Sequence, residues 1–269
     1  MSEPTQLGKR LIWSTLLVGM SLYAIFWAHP LIFLLVVEGF IVLGLLEYFN
    51  LAERKGFFIN RTLGLSFGVL LAIQPHLPGE AIVLTLAMLS LAVFNFQRHL
   101  REQAIVSTAL TSFGLLYVAW CLSFLVKIRA LAGGAAWVFY CILVIKLGDA
   151  AAYFIGKRFG VHKYAASISP NKSMEGSVAG FIATCGASVM SKVYLPNTPL
   201  GHLVVLGLVL AILGPLGDLA ESLLKRDAGV KDSGNIPGLG GILDILDSLL
   251  PSVPVVYYYL VMIERGGPL

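Results

Sequence analysis

Asp218, Glu221, Ser222 and Lys225 recur three or four residues apart, so on a helix they share one face. Asp244, Asp247 and Ser248 repeat that spacing just before an apolar run. Between the two groups lie Arg226, Lys231, Asp232 and the glycine-rich stretch Pro237-Gly238-Leu239-Gly240-Gly241. Carboxylates supply hard oxygen ligands, and Mg²⁺ takes a few of them together with phosphate oxygens. Lysine and arginine meet the remaining phosphate charge, and glycine lets a backbone turn tightly against a ligand. The chemistry that fits is metal-assisted phosphoryl or nucleotidyl transfer. For Lys225 and Arg226 the other reading, a basic loop whose acids pair with its bases, stays open. Three acids near membrane depth (Asp218, Asp244 and Asp247) call for more than loop solubility.

A second polar segment begins at Gly148-Asp149 and runs through Ala152-Tyr153, Gly156 and Lys157 to Ser169-Pro170-Asn171-Lys172-Ser173 and Glu175-Gly176. Ser169-Pro170-Asn171 reads as a turn before a helix. Lys172 sits at that helix start, where free N–H groups also favour an anion. Asp149 lies one turn from Lys146, so a simple intrahelical ion pair competes with a role in binding.

These residues must be positioned by a very apolar chain. Of 269 residues 57% are apolar and 13% charged, and the mean hydropathy is +0.83. A soluble domain carries about twice that charge. The composition excludes an ordinary soluble enzyme, a disordered chain and a nucleic-acid-binding module. It predicts an all-α, polytopic transmembrane protein. Nine apolar runs are candidate spans: 11–28, 31–49, 63–74, 81–96, 104–126, 135–155, 177–194, 200–219 and 248–263. With the N-terminus cytoplasmic, the inside segments hold Lys9, Arg10, Arg54, Lys55, Arg61, Arg98, Arg101, Lys157, Arg158, Lys163, Lys172, Lys225, Arg226 and Lys231. The outside segments hold only Lys127, Arg129 and Arg265. That asymmetry favours this orientation over its inverse. No signal-peptide cleavage pattern follows the first run. Cys121, Cys141 and Cys185 stand singly in apolar runs and read as packing residues. Glu38, Glu47, Lys146 and Lys192 fall inside spans and read as snorkelling or helix-pairing charges. Residues 1–269 are expected to form one membrane domain, with 1–135 as a helical scaffold and 136–269 as the catalytic part.

Several motifs in order resemble those of the integral-membrane phosphatidate cytidylyltransferases. Ser222-x-x-Lys225-Arg226, Lys231-Asp232, Pro237-Gly238-Leu239-Gly240-Gly241 and Asp244-Ile245-Leu246-Asp247 follow the family's C-terminal signature. Asp149-x-x-Ala152-Tyr153-x-x-Gly156-Lys157 and Ser169-Pro170-Asn171-Lys172-Ser173-x-Glu175-Gly176 resemble its upstream motifs. The likeness covers about 148–250. Two positions depart from it: Leu239 replaces a histidine, and Ile245 replaces an arginine.

The resemblance implies transfer of a cytidylyl group from CTP to phosphatidate, giving CDP-diacylglycerol and pyrophosphate. It places the reaction at the cytoplasmic face of the inner or plasma membrane, with two Mg²⁺ ions and K⁺ as a further ion, and leaves room for a homodimer. It makes Asp218, Glu221, Asp244 and Asp247 the metal ligands, and Lys225, Arg226 and Lys231 their catalytic companions. Substrate contact falls to Asp149, Lys157, Ser169, Lys172, Ser222, Asp232, Gly240 and Gly241. The two departures keep a CTP-dependent lipid kinase, or a cytidylyltransferase for another lipid phosphate, in view. A polytopic transporter is the reading from a different class, though no inverted repeat is visible.

Overall fold

The computed structural model describes residues 6–73, 79–97, 102–165, 167–236 and 240–266. Pro237, Gly238 and Leu239 of the glycine stretch, and Arg98 and Arg101 of the charge asymmetry, lie outside them. The helices are α1 (Gln6–Phe26), α2 (Pro30–Arg54), α3 (Arg61–Ala72), α4 (Glu80–Gln97) and α5 (Ala104–Ala130). They continue with α6 (Gly134–Phe159), α7 (Met174–Met190), α8 (Leu200–Asp227), α9 (Ile242–Leu246) and α10 (Ser252–Gly266). The protein is therefore all-α among the described residues.

Each of the nine apolar runs coincides with a helix, but nine crossings do not follow. Among the described residues four helices, α2, α5, α6 and α8, are long and apolar enough to span a bilayer. The twelve residues of α3 rise only about 18 Å, against a hydrocarbon core of about 30 Å.

The chain divides into two compact units that are not contiguous in sequence. The first comprises residues 1–130 and 227–246, and the second 131–226 and 247–269. The segment carrying Lys231, Asp232 and Asp244 thus packs with the N-terminal helices.

In the first unit α2 supplies the core. Ile41, Leu45 and Phe49 recur at helical spacing and are fully buried, as are Leu71 of α3 and Val118 and Leu122 of α5. Gly64 and Gly68 let α3 lie against α2: a Cβ at either would come within 2.5 Å of Phe49 or Leu45. Pro30 occupies the first turn of α2, where its missing N–H has no intrahelical partner to lose. The Asn60 side chain accepts the Leu63 N–H at 3.1 Å and starts α3. Residues Leu115–Trp120 form a π-helical segment within α5. The Lys127 ammonium pairs with Glu80, which also accepts the Trp120 Nε1–H at 2.7 Å, so this buried lysine is neutralised within the fold.

In the second unit α6 and α7 form a close antiparallel pair built on small residues. Gly148, Ala152 and Gly156 of α6 face Gly176, Gly180 and Thr184 of α7. A Cβ on Gly176 would stand 2.7 Å from the Ala152 carbonyl oxygen, so only hydrogen fits there. The pair is joined to α8 through Ser188, whose hydroxyl donates to the Leu203 carbonyl at 2.5 Å and lies 2.6 Å from the Tyr140 hydroxyl. Pro215, inside α8, lacks the N–H that would close that turn.

Candidate active site

Within the second unit, three carboxylates and two lysines gather around the ends of α6, α8 and α10. Asp149, on α6, accepts from the Lys146 ammonium at 3.0 Å and from the Ser248 hydroxyl at 2.8 Å. The same ammonium reaches Ser248 Oγ at 2.9 Å, closing a triangle. The intrahelical pair expected from the spacing of Lys146 and Asp149 therefore exists and is extended by a third residue. On α8, Asp218 meets the Lys172 ammonium at 2.9 Å and accepts the Ser222 hydroxyl at 3.2 Å. Lys172 also donates to the Pro215 carbonyl at 3.2 Å.

Asp247 completes the group from the turn between α9 and α10. Gly217 on α8 makes this possible: a Cβ there would stand 2.3 Å from the Asp247 carbonyl oxygen and 2.9 Å from the Pro251 ring. The Asp247 carboxyl is only 7% exposed. Burial pushes its pKa up to about 7; Lys146 opposes this, Asp218 and Asp149 add repulsion, and the Ser248 N–H bond lowers it. The rise comes first from burial, and the three carboxylates share the place with two lysine ammoniums. Among the described residues no group of three or more His, Cys, Asp or Glu side chains is placed, as it stands, to hold a metal ion. Lysine ammoniums already lie against two of the carboxylates.

Asp149 and Asp218 also border a cavity of about 500 Å³ in this unit. Its lining includes the polar Lys157, Lys163, Ser169, Asn171 and Lys172 and the apolar Ile145, Leu210 and Pro215. The loop from Gly160 to Ser173 is held by backbone bonding between Met174 N–H and His162 O at 2.9 Å. It is also held by Arg226, whose Nε–H donates to the Ile168 carbonyl at 3.0 Å. Ser173 caps α7, accepting the Gly176 N–H at 3.2 Å. A cavity lined by both lysines and apolar side chains can take an amphiphile with a phosphate head.

The remaining expected residues stand differently. Glu221 is wholly buried and paired with Lys225 one turn on. Lys157 is exposed, with its ammonium 5.7 Å from the Tyr153 ring centroid. Lys231 and Asp232 are exposed, and they belong to the first unit. Asp244, also in that unit, accepts at Oδ2 from Ser233 N–H (2.8 Å), Ser233 Oγ (2.9 Å) and Gly241 N–H (2.7 Å). Gly240 adopts φ +82° where the loop closes, with Ile236 N–H donating to its carbonyl at 2.6 Å.

Two contributors escape the sequence reading. Glu47 of α2 bonds to the Ser233–Leu243 loop and does not snorkel. No Lys or Arg lies three or four residues from it, which was the available sign that its partner is elsewhere. The second is the stripe of small residues that sets α6 against α7, legible as a glycine–alanine–glycine repeat every fourth residue.

Comparison with known proteins agrees with these features. A profile of the cytidylyltransferase family matches residues 8–263. The phosphatidate cytidylyltransferase of Bacillus subtilis is 43% identical over 150 residues, covering 55% of this chain and 56% of that protein. The one from Chlamydia muridarum is 39% identical over 184 residues, covering 63% and 60%. The one from Synechocystis is 35% identical over 261 residues, covering 83% and 86%. The chain thus spans less than two thirds of the length of the first two and most of the third. With the family profile running nearly end to end across both units, and a relative matched over most of its length, this chain belongs to the cytidylyltransferase family.

Proposed function

We propose that the protein transfers the cytidylyl group of CTP to phosphatidate, releasing pyrophosphate and forming CDP-diacylglycerol. The observation that carries this reading is the 500 Å³ cavity, whose lining combines three lysines, two carboxylates (Asp149 and Asp218) and apolar side chains. A phosphatidate oxygen attacks the α-phosphorus of CTP; that P–O bond forms while the bond to the β-phosphate bridge breaks, and pyrophosphate leaves with its electron pair. Two anions must meet, so the protein's task is neutralisation and alignment.

Lys172 is the leading cation: a substrate phosphate entering the cavity exchanges with Asp218 for its ammonium. Lys157 and Lys163, which also line the cavity, supply further positive charge, and Ser169 and Asn171 supply hydrogen bonds. Asp218, Asp247 and Asp149 are the residues that would hold Mg²⁺. When bound, the ion supplies Lewis-acid neutralisation of phosphate oxygens. Lys146 and Ser248 keep Asp149 oriented. Glu221 and Lys225 act as a buried pair that fixes α8. Lys231 and Asp232 are assigned to substrate contact through the signature they share with the family. The lysine and arginine asymmetry supports a site facing the cytoplasm, with the chain embedded in the cell membrane.

Purified protein given CTP labelled at the α-phosphate, with phosphatidate and Mg²⁺, should place label in a chloroform-soluble product. Label entering lipid only from γ-labelled CTP would mean a kinase. Label entering only with a different lipid phosphate would trace to the altered positions Leu239 and Ile245.

A further inference from the structure

The first unit contains an acidic side chain whose surroundings are set by backbone groups. Glu47 lies two turns from the end of α2 and has no Lys or Arg one turn away on that helix. Its Oε1 accepts the Ile242 N–H at 2.9 Å, and its Oε2 accepts the Leu243 N–H at 2.8 Å and the Ser233 hydroxyl at 2.8 Å. The loop is shaped to admit it. A Cβ on Gly234 would stand 2.4 Å from Glu47 Oε1, and one on Gly241 would stand 2.3 Å from Oε2. On the far side of Ser233, Asp244 takes the Ser233 and Gly241 N–H groups. Ser233 Oγ thus stands between two carboxylates, each already holding two backbone N–H groups, and its one proton serves either.

We propose that Glu47 is the positioning residue of Ser233 and of the Gly241–Asp244 backbone, holding both from α2 so that the Lys231-Asp232 and Asp244 motifs are presented in one conformation. This rests on the cytidylyltransfer reading for its consequence in activity, but not for the anchoring itself. A carboxylate in this position has no equivalent among neutral side chains. Glutamine at 47 keeps one acceptor oxygen but turns an NH₂ toward the Ile242 or Leu243 N–H, setting donor against donor. Aspartate is one methylene too short to reach both amides and Ser233 together.

The test combines amide hydrogen exchange with single-turnover assays on wild type, Glu47→Gln, Ser233→Ala and the double variant, each purified whole in detergent. Expected for Glu47→Gln is exchange at least tenfold faster in the 241–246 peptide. The melting temperature of the remaining helices should hold. Turnover per folded molecule should fall about 100-fold, the cost of a reacting group displaced by about 1 Å. The double variant should be no slower than Glu47→Gln, since both residues act through one hydrogen-bonded unit. Unchanged exchange in the 241–246 peptide, additive losses, or a kcat within threefold of wild type would overturn the proposal. If wild type forms no labelled lipid, the functional reading fails, and the exchange result still decides whether Glu47 anchors the loop.

Discussion

The ionisation of Asp247 works against the fold. Its carboxyl is raised from 3.8 to about 7, first by burial, with Lys146 opposing and Asp218 and Asp149 adding to the rise. Between those two values the folded protein retains a proton that the unfolded chain has released. Stability from this group is therefore full at acid pH, falls as pH climbs through the window, and levels off above about 7. At ~1.4 kcal/mol per pH unit the whole window is worth ~4 kcal/mol at most. Asparagine cannot ionise, and its amide oxygen can still accept the Ser248 N–H that Asp247 Oδ1 takes at 2.6 Å. Asp247→Asn should melt like wild type at the acid end and above it by up to ~10 °C at the alkaline end. Thermal unfolding in detergent with EDTA, across the window and past it, measures this. Adding Mg²⁺ at the alkaline end should raise wild type toward the variant and leave the variant unmoved, because the cation relieves the repulsion that asparagine has already removed. Parallel profiles for the two proteins, with or without Mg²⁺, would refute both the burial argument and the assignment of Asp247 to the cation.

Three further perturbations separate packing from chemistry. Gly176→Ala drives a methyl group to 2.7 Å from the Ala152 carbonyl oxygen and 3.0 Å from Gly156 Cα, so a melting scan should show it destabilised by about 1–3 kcal/mol. Gly39→Ala, with nothing within 4 Å, should be neutral or better in the same scan. Lys225→Met leaves the wholly buried Glu221 without its ion pair and should lower the yield of monodisperse protein sharply, by the ~3–5 kcal/mol of a broken buried pair. Adding Glu221→Leu should restore the yield. Lys172→Gln removes the cation that meets Asp218 at the cavity wall and should lower turnover with labelled CTP by about 100-fold, with little change in melting.

The apolar runs gave away the helices because each is an uninterrupted hydrocarbon stretch bounded by polar or turn residues. Their capacity to cross a bilayer did not follow, since α3 reads as a span but is too short on its own. Asp149, Lys172 and Asp218 stand out as candidate site residues because charge is scarce in this chain, and all three line one cavity. Lys172 was read as lying near a helix start suited to an anion; its ammonium in fact bridges to α8, which no spacing within 148–176 encodes. Glu47 was misjudged as a snorkelling or pairing charge for a physical reason. Its partners are mostly backbone N–H groups, and these have no letter in a sequence. For the same reason the grouping of 227–246 with the N-terminal helices was not visible in a chain whose charge pattern changes near its middle.

The glycines show how one pattern carries two kinds of information. Gly148, Gly156 and Gly176 stand inside the motifs that resemble the family, where glycine is easily read as loop or phosphate chemistry. Here they lie in helices with ordinary backbone angles, and what they supply is the absence of a side chain. Asp149 follows Gly148 directly, and Lys172 and Ser173 immediately precede α7, which carries Gly176 in its first turn. The closeness of the α6–α7 contact therefore sets how far the carboxylate of one motif stands from the lysine of the other. A methyl group at this seam would move both side chains without altering either of them. The polar letters of the motif name the chemistry, and its small letters fix the distances at which that chemistry is possible.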